Sequence, residues 1–100
     1  MASRPYEAWY VVEAVLACVD DVALDVRDVG AVYVSKQGEI GVGILKDYRG
    51  RGFATQALRQ VIQRHPGRLL ANISPGNHKS ITLFSRLGFR HVQNTYALER

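Results

Sequence analysis

One hundred residues, 47% of them hydrophobic, predict a single domain over 1–100, near the lower size at which a chain builds its own core. Charged residues are 22% and no segment is low-complexity, which excludes a disordered chain, and no apolar run approaches the roughly 20 residues of a membrane span. The net charge of +4 conceals an asymmetry: up to Asp47 eight acids stand against four bases, and from Tyr48 onward nine bases stand against one acid, Glu99, a balance suited to nucleic acid or to a small polyanion such as a nucleotide cofactor.

Met1-Ala2-Ser3-Arg4-Pro5 has no apolar h-region behind it, so no signal peptide is expected. Trp9 to Glu13 is aromatic and β-branched and predicts a strand, with Ala17 to Leu24 a second strand paired to it. Cys18, the one cysteine, excludes an intrachain disulfide; its apolar flanks predict a buried thiol, and a reducing cytoplasm is the expected setting. Asp25 to Gly30 is polar and reads as a loop, and Ala31 to Val34 as the start of another strand. Glu39 to Leu45 is a strand interrupted by Gly41 and Gly43, which marks a bulge, tight packing or a close approach by a ligand.

Arg51 to Arg64 places Phe53, Ala54, Ala57, Leu58, Val61 and Ile62 at helical spacing, and Pro66-Gly67 stops the helix. Leu69 to Ile73 predicts a short buried strand. Asn77 is a natural N-cap for a second helix running to about Leu87, with Gly88 just past its end. Phe89 to Val92 and Thr95 to Leu98 predict a final hairpin across Gln93-Asn94. The order of elements gives an α/β (α+β) domain with a single mixed, mostly antiparallel sheet flanked by helices.

The chemistry concentrates at Tyr48-Arg49-Gly50-Arg51-Gly52-Phe53-Ala54-Thr55, a strand-to-helix turn with two glycines and two arginines. Glycines let the backbone approach a phosphate closely, and the helix N-terminus offers unpaired N–H groups and a favourable dipole. A P-loop string is absent, and the dinucleotide fingerprint fails because no acid lies between Asp47 and Glu99 to take a ribose. His65, His78 and His91 show no ligand spacing with Cys18 or a carboxylate pair, so no metal is expected.

Arg49 to Ala54 fits (Q/R)-x-x-G-x-(G/A), and Asn77-His78-Lys79-Ser80-Ile81-Thr82-Leu83-Phe84-Ser85-Arg86-Leu87-Gly88-Phe89 fits N-x-x-(A/S)-x-x-L-(Y/F)-x-x-x-G-F. In this order and separation, the two blocks resemble the acyl-CoA site of the GNAT superfamily of N-acyltransferases, over roughly Trp9 to Leu98. The run Glu39 to Leu45 looks most like the branch that acetylates ribosomal-protein and other N-terminal amines. The resemblance implies acetyl-CoA as acyl donor, with its pyrophosphate over Arg49, Gly50, Arg51, Gly52, Phe53, Ala54 and Thr55. It implies further that the backbone near Gly43 and Ile44 bonds the pantetheine arm and stabilises the oxyanion, and that Asn77, Ser80 and Phe84 line the thioester end. For Asn77 and Ser80, helix capping is the competing role. Glu39 is the implied catalytic base, against a purely structural glutamate at a strand start.

Two departures stand out. Many relatives carry a tyrosine where this chain has Phe84, which cannot donate a proton. Thiolate can leave unaided, a hydroxyl such as Tyr96 or Ser85 can stand in, or the protein can bind acyl-CoA without transferring it. Relatives also begin with a strand and two helices that wall the acceptor site, whereas eight residues precede Trp9 here. The expectation is a fold lacking most of that element, with an open acceptor groove and apolar surface for a homodimer or a partner protein. The leading function is an N-acetyltransferase for a primary amine, such as that of a protein or peptide. The alternative is a catalytically silent acyl-CoA-binding module. Nucleic-acid binding ranks last, for want of exposed aromatics in the basic half.

Overall fold

The computed structural model describes residues 6–99; the absence of a leader read from Met1 to Pro5 lies outside them. The chain forms β1 (Tyr6–Val19), β2 (Val22–Ser35) and β3 (Ile40–Ile44), a single 3-10 turn (Lys46–Tyr48), then α1 (Phe53–Arg64) and α2 (His78–Arg86). The strands make one antiparallel sheet in the order β1-β2-β3. No α-helix precedes α1 among the described residues. The result is the mixed α+β architecture expected, with a shorter sheet.

Alternation builds the core. Tyr10 pairs with Val32, Val32 with Val42, and Val34 with Ile40, so one face of the sheet carries a stripe of β-branched side chains. Leu58 and Val61 of α1 and Phe84 of α2 join Val32, Val34 and Ile40 in one buried cluster. Complete burial of a side chain such as Leu58 contributes about 1.5–3 kcal/mol. At the C-terminal end of α1, the Tyr10 hydroxyl and His65 Nε2 share a 2.6 Å hydrogen bond, and their rings meet edge-on at 5.7 Å. This contact ties the helix end to β1.

The hairpin β1–β2 is longer than its sequence suggests. The expected second strand, Ala17 to Leu24, is instead the tip of this hairpin: Val19 pairs with Val22 across Asp20-Asp21, both at positive φ (49° and 64°). A two-residue hairpin needs that left-handed pair, and aspartate tolerates it. The expected loop Asp25 to Gly30 lies within β2, its polar residues pairing with Ala17, Ala14 and Glu13. Register shifts near Val12/Glu13 and Val15/Ala17 break the alternation. Beyond them Val15, Val19, Val22, Leu24 and Val26 are exposed. Cys18 is exposed as well, against the buried thiol expected, because the core cluster formed by the described residues does not extend to that part of the arm.

Three further expected strands are not formed. Leu69 to Ile73 makes one parallel bridge, Glu39 with Leu70, and then leaves the sheet. The final hairpin over Phe89 to Leu98 is absent, and residues 90–99 are exposed. A strand needs a neighbour to pair with, and a segment that makes a single rung offers no ladder to the next one. Helix α1 begins at Phe53 rather than Arg51, since Gly50 and Gly52 take φ of 78° and 82°.

Candidate functional site

The turn between β3 and α1 is built by the 3-10 segment, closed by Tyr48 N donating to the Leu45 carbonyl at 2.9 Å. Gly52 then caps α1 in the left-handed region, where a side chain would be strained. No side chain caps the helix, and its first turn holds no acid, so the first-turn amides of Phe53, Ala54 and Thr55 lie at an end without local neutralisation. A Cβ at Gly50 or Gly52 would meet no other atom within 4 Å, which leaves the approach to these amides open.

Three arginines surround this turn. Arg49 donates from Nε to the Ile44 carbonyl at 2.9 Å. The Arg51 guanidinium stands 5.7 Å from the centre of the Tyr48 ring. Arg27 reaches the Tyr48 hydroxyl at 3.4 Å and pairs with Asp25 at 3.0 Å; these contacts, the Tyr48 hydrogen bond foremost, raise its pKa above the ordinary guanidinium value. Arg49 through Thr55 therefore meet at one helix end whose donors and charges fit a phosphate group.

The second group of expected residues gathers along β3. Ile40 N donates to the Leu70 carbonyl and Leu70 N to the Gly38 carbonyl, both at 2.8 Å. Past this rung the 71–74 segment diverges from β3, opening a cleft of about 220 Å³ lined by Glu39, Asn77, Ser80 and Phe84, together with Tyr33 and Val42. Since Ile40 directs its backbone to this edge, Val42 and Ile44 do the same by alternation, while Gly43 pairs with Ala31 on the β2 side. The outward-facing edge is thus Val42 and Ile44, with the Ile44 carbonyl taken by Arg49. Val42 was missed because register, not sequence, selects which residues face outward.

Glu39 is exposed at the vertex of the cleft. Its backbone N donates to Ser35 Oγ at 3.0 Å, and Ser35 N donates to its carbonyl at 2.8 Å, which fixes its position. Asn77 Oδ1 accepts from Ser80 N at 3.2 Å, so both serve as the cap of α2 as well as lining the cleft. Phe84 is 5% exposed and meets Phe89 edge-on at 5.1 Å. Ser85 and Tyr96 are both exposed and outside the cleft lining, Tyr96 at 88% in the tail. Neither stands in for a hydroxyl at position 84. Tyr33 lines the cleft although nothing in the sequence marked it: its reach depends on pairing with Gly41 across the sheet. Among the described residues no group of three His, Cys, Asp or Glu side chains could hold a metal.

The anion-fitting helix end and the carboxylate-bearing cleft lie at opposite ends of one five-residue strand. The family profile described as acetyltransferase (GNAT) domain matches residues 4–90, which takes in both ends. Neither the curated proteins nor the solved structures gave a significant match. The chain belongs to the GNAT acetyltransferase family.

Proposed function

We propose that the protein is an acetyl-CoA-dependent N-acetyltransferase acting on a primary amine, such as that of a protein or peptide, by direct attack in a ternary complex. The observation that carries this reading is the placement of an open, cationic helix end and Glu39 beyond opposite ends of β3, whose outward edge is itself roughly 14 Å long at the usual rise per residue. Arg51 and the amides of Phe53, Ala54 and Thr55 would hold the pyrophosphate, joined by Arg49 once it leaves the Ile44 carbonyl. Val42 and Ile44 would bond the extended arm. When bound, the cofactor supplies an activated thioester. Glu39 takes the proton of the attacking amine through water, Asn77 and Ser80 position the thioester end, and Phe84 shields it from solvent.

Three supporting elements belong to the same reading. The exposed apolar arm from Val15 to Val26 suits a second copy of the chain or a partner protein, to be tested by sedimentation at high concentration. The single cysteine suits a reducing cytoplasm. Nucleic acid is the weaker reading because the basic residues gather at one helix end rather than in a stripe interleaved with aromatics.

Release of free thiol from acetyl-CoA, assayed with a panel of amines, tests the proposal directly. Glu39→Gln is expected to lower turnover and shift its pH profile with coenzyme A affinity unchanged. A second reading, a silent acyl-CoA-binding module, draws on the apolar ring of Phe84 at the cleft. Thermal stabilisation by coenzyme A with no thiol release for any amine favours that second reading.

A further inference from the structure

We propose that Tyr33 is the residue that receives the acceptor amine, with Trp9 holding it in place, and that the acceptor is a primary ammonium carried on an alkyl chain; this rests on the acyl-transfer reading above. Along β2, Val32 and Val34 are 0% and 2% exposed and point into the core, so Tyr33 between them points to the opposite face. Its partners across the sheet are Trp9 on β1 and Gly41 on β3.

Gly41 is what lets Tyr33 reach the cleft. A Cβ placed on Gly41 would stand 2.2 Å from both Cζ and the hydroxyl oxygen of Tyr33, so the phenol lies directly over the glycine backbone. Any other residue at 41 would push the ring off β3. From the other side the Trp9 ring stacks on Tyr33 with centroids 6.0 Å apart and planes 16° from parallel, an offset arrangement that holds the phenol in its lean. Trp9 is 57% exposed, and this face of the sheet is opposite the buried cluster that joins α1 and α2.

Glu39 stands two residues before Gly41, on the same face by alternation, and lines the same cleft. A carboxylate, a phenol hydroxyl and an aromatic face therefore converge beside the β3 edge. That set recognises an ammonium on an alkyl chain: the carboxylate meets the charge, the ring face attracts the cation, and the hydroxyl accepts an N–H. In the transfer itself the bound ammonium first releases one proton to solvent; the neutral amine nitrogen then forms the bond to the thioester carbon and gives a second proton to Glu39 through water, the C–S bond breaks, and the thiolate takes a proton from solvent. Tyr33 accepts a hydrogen bond from the remaining N–H and aligns the attack.

The chain has one tryptophan, so indole emission reports on this platform alone. The protein, with and without coenzyme A, is titrated with n-butylammonium chloride as probe, against sodium chloride at matched ionic strength. A saturable change in emission is expected, with affinity about tenfold weaker in Tyr33→Phe, the scale of one hydrogen bond to a charged group. Gly41→Ala, which keeps the hydroxyl but displaces it, is expected to weaken the probe similarly, and both variants to bind coenzyme A within about twofold of the parent. No saturable response in the parent protein, or equal affinity in both variants and the parent, overturns the proposal. Coenzyme A binding is measured separately: its absence overturns the acyl-transfer reading, whereas normal coenzyme A binding with an amine response indifferent to Tyr33 overturns this inference alone.

Discussion

The two ends of the β1–β2 hairpin are made of the same residue types and have opposite fates. At the open end Val32 and Val34 are completely or almost completely buried under α1 and α2. At the tip Val15, Val19, Val22 and Val26 remain between 49% and 60% exposed. β-Branched residues make a strand in both places, because propensity acts locally. Whether the strand becomes core depends on what lies across it, and the helices reach only the base. The residues of the proposed site follow the same division: Glu39, Tyr33 and Phe84 line the cleft beside the packed base.

The largest expected effect tests the packed end. Leu58→Ala, at a side chain with no exposure, should cost about 3 kcal/mol in denaturant unfolding; a loss below about 1 kcal/mol would mean the base is no better packed than the tip. Gly52→Asp places bulk and like charge at the helix end and should weaken coenzyme A at least about 100-fold, close to 2.7 kcal/mol, by calorimetry. Unchanged affinity would remove the turn from the site. Tyr10→Phe keeps the ring contact with His65 and deletes the hydroxyl, so about 1 kcal/mol is expected from thermal unfolding. Val22→Thr and Val26→Thr at the tip should each stay within about 0.5 kcal/mol for the isolated chain. A larger loss that grows with protein concentration would reveal a partner copy packed on the arm.

The helices were legible because their signals are local. Apolar spacing in α1 and the Asn77 cap of α2 need no knowledge of the rest of the chain. The turn at Gly50 and Gly52 was legible for the same reason. The hairpin tip was not, since Asp20-Asp21 lacks the glycine that usually marks such a turn, and the polar stretch Asp25 to Asp28 reads as loop when its partner strand is unknown. The strands over Leu69 to Ile73 and Phe89 to Leu98 were expected from composition, yet pairing decides strands and these segments find almost none. Tyr33 escaped notice for a related reason: a tyrosine and a glycine eight positions apart say nothing of each other until the register sets them side by side.

The single rung that joins Leu70 to Gly38 and Ile40 has one further consequence. Its two hydrogen bonds, both 2.8 Å long, end the backbone pairing of the cleft's walls at one point, and beyond it Ala71 and Ile73 hold the far wall by packing against the core cluster. Amide exchange should register this as a sharp step, slow at Ile40 and fast at Val42 two residues on, with the Val42 amide slowing only when an extended chain pairs with it in the cleft.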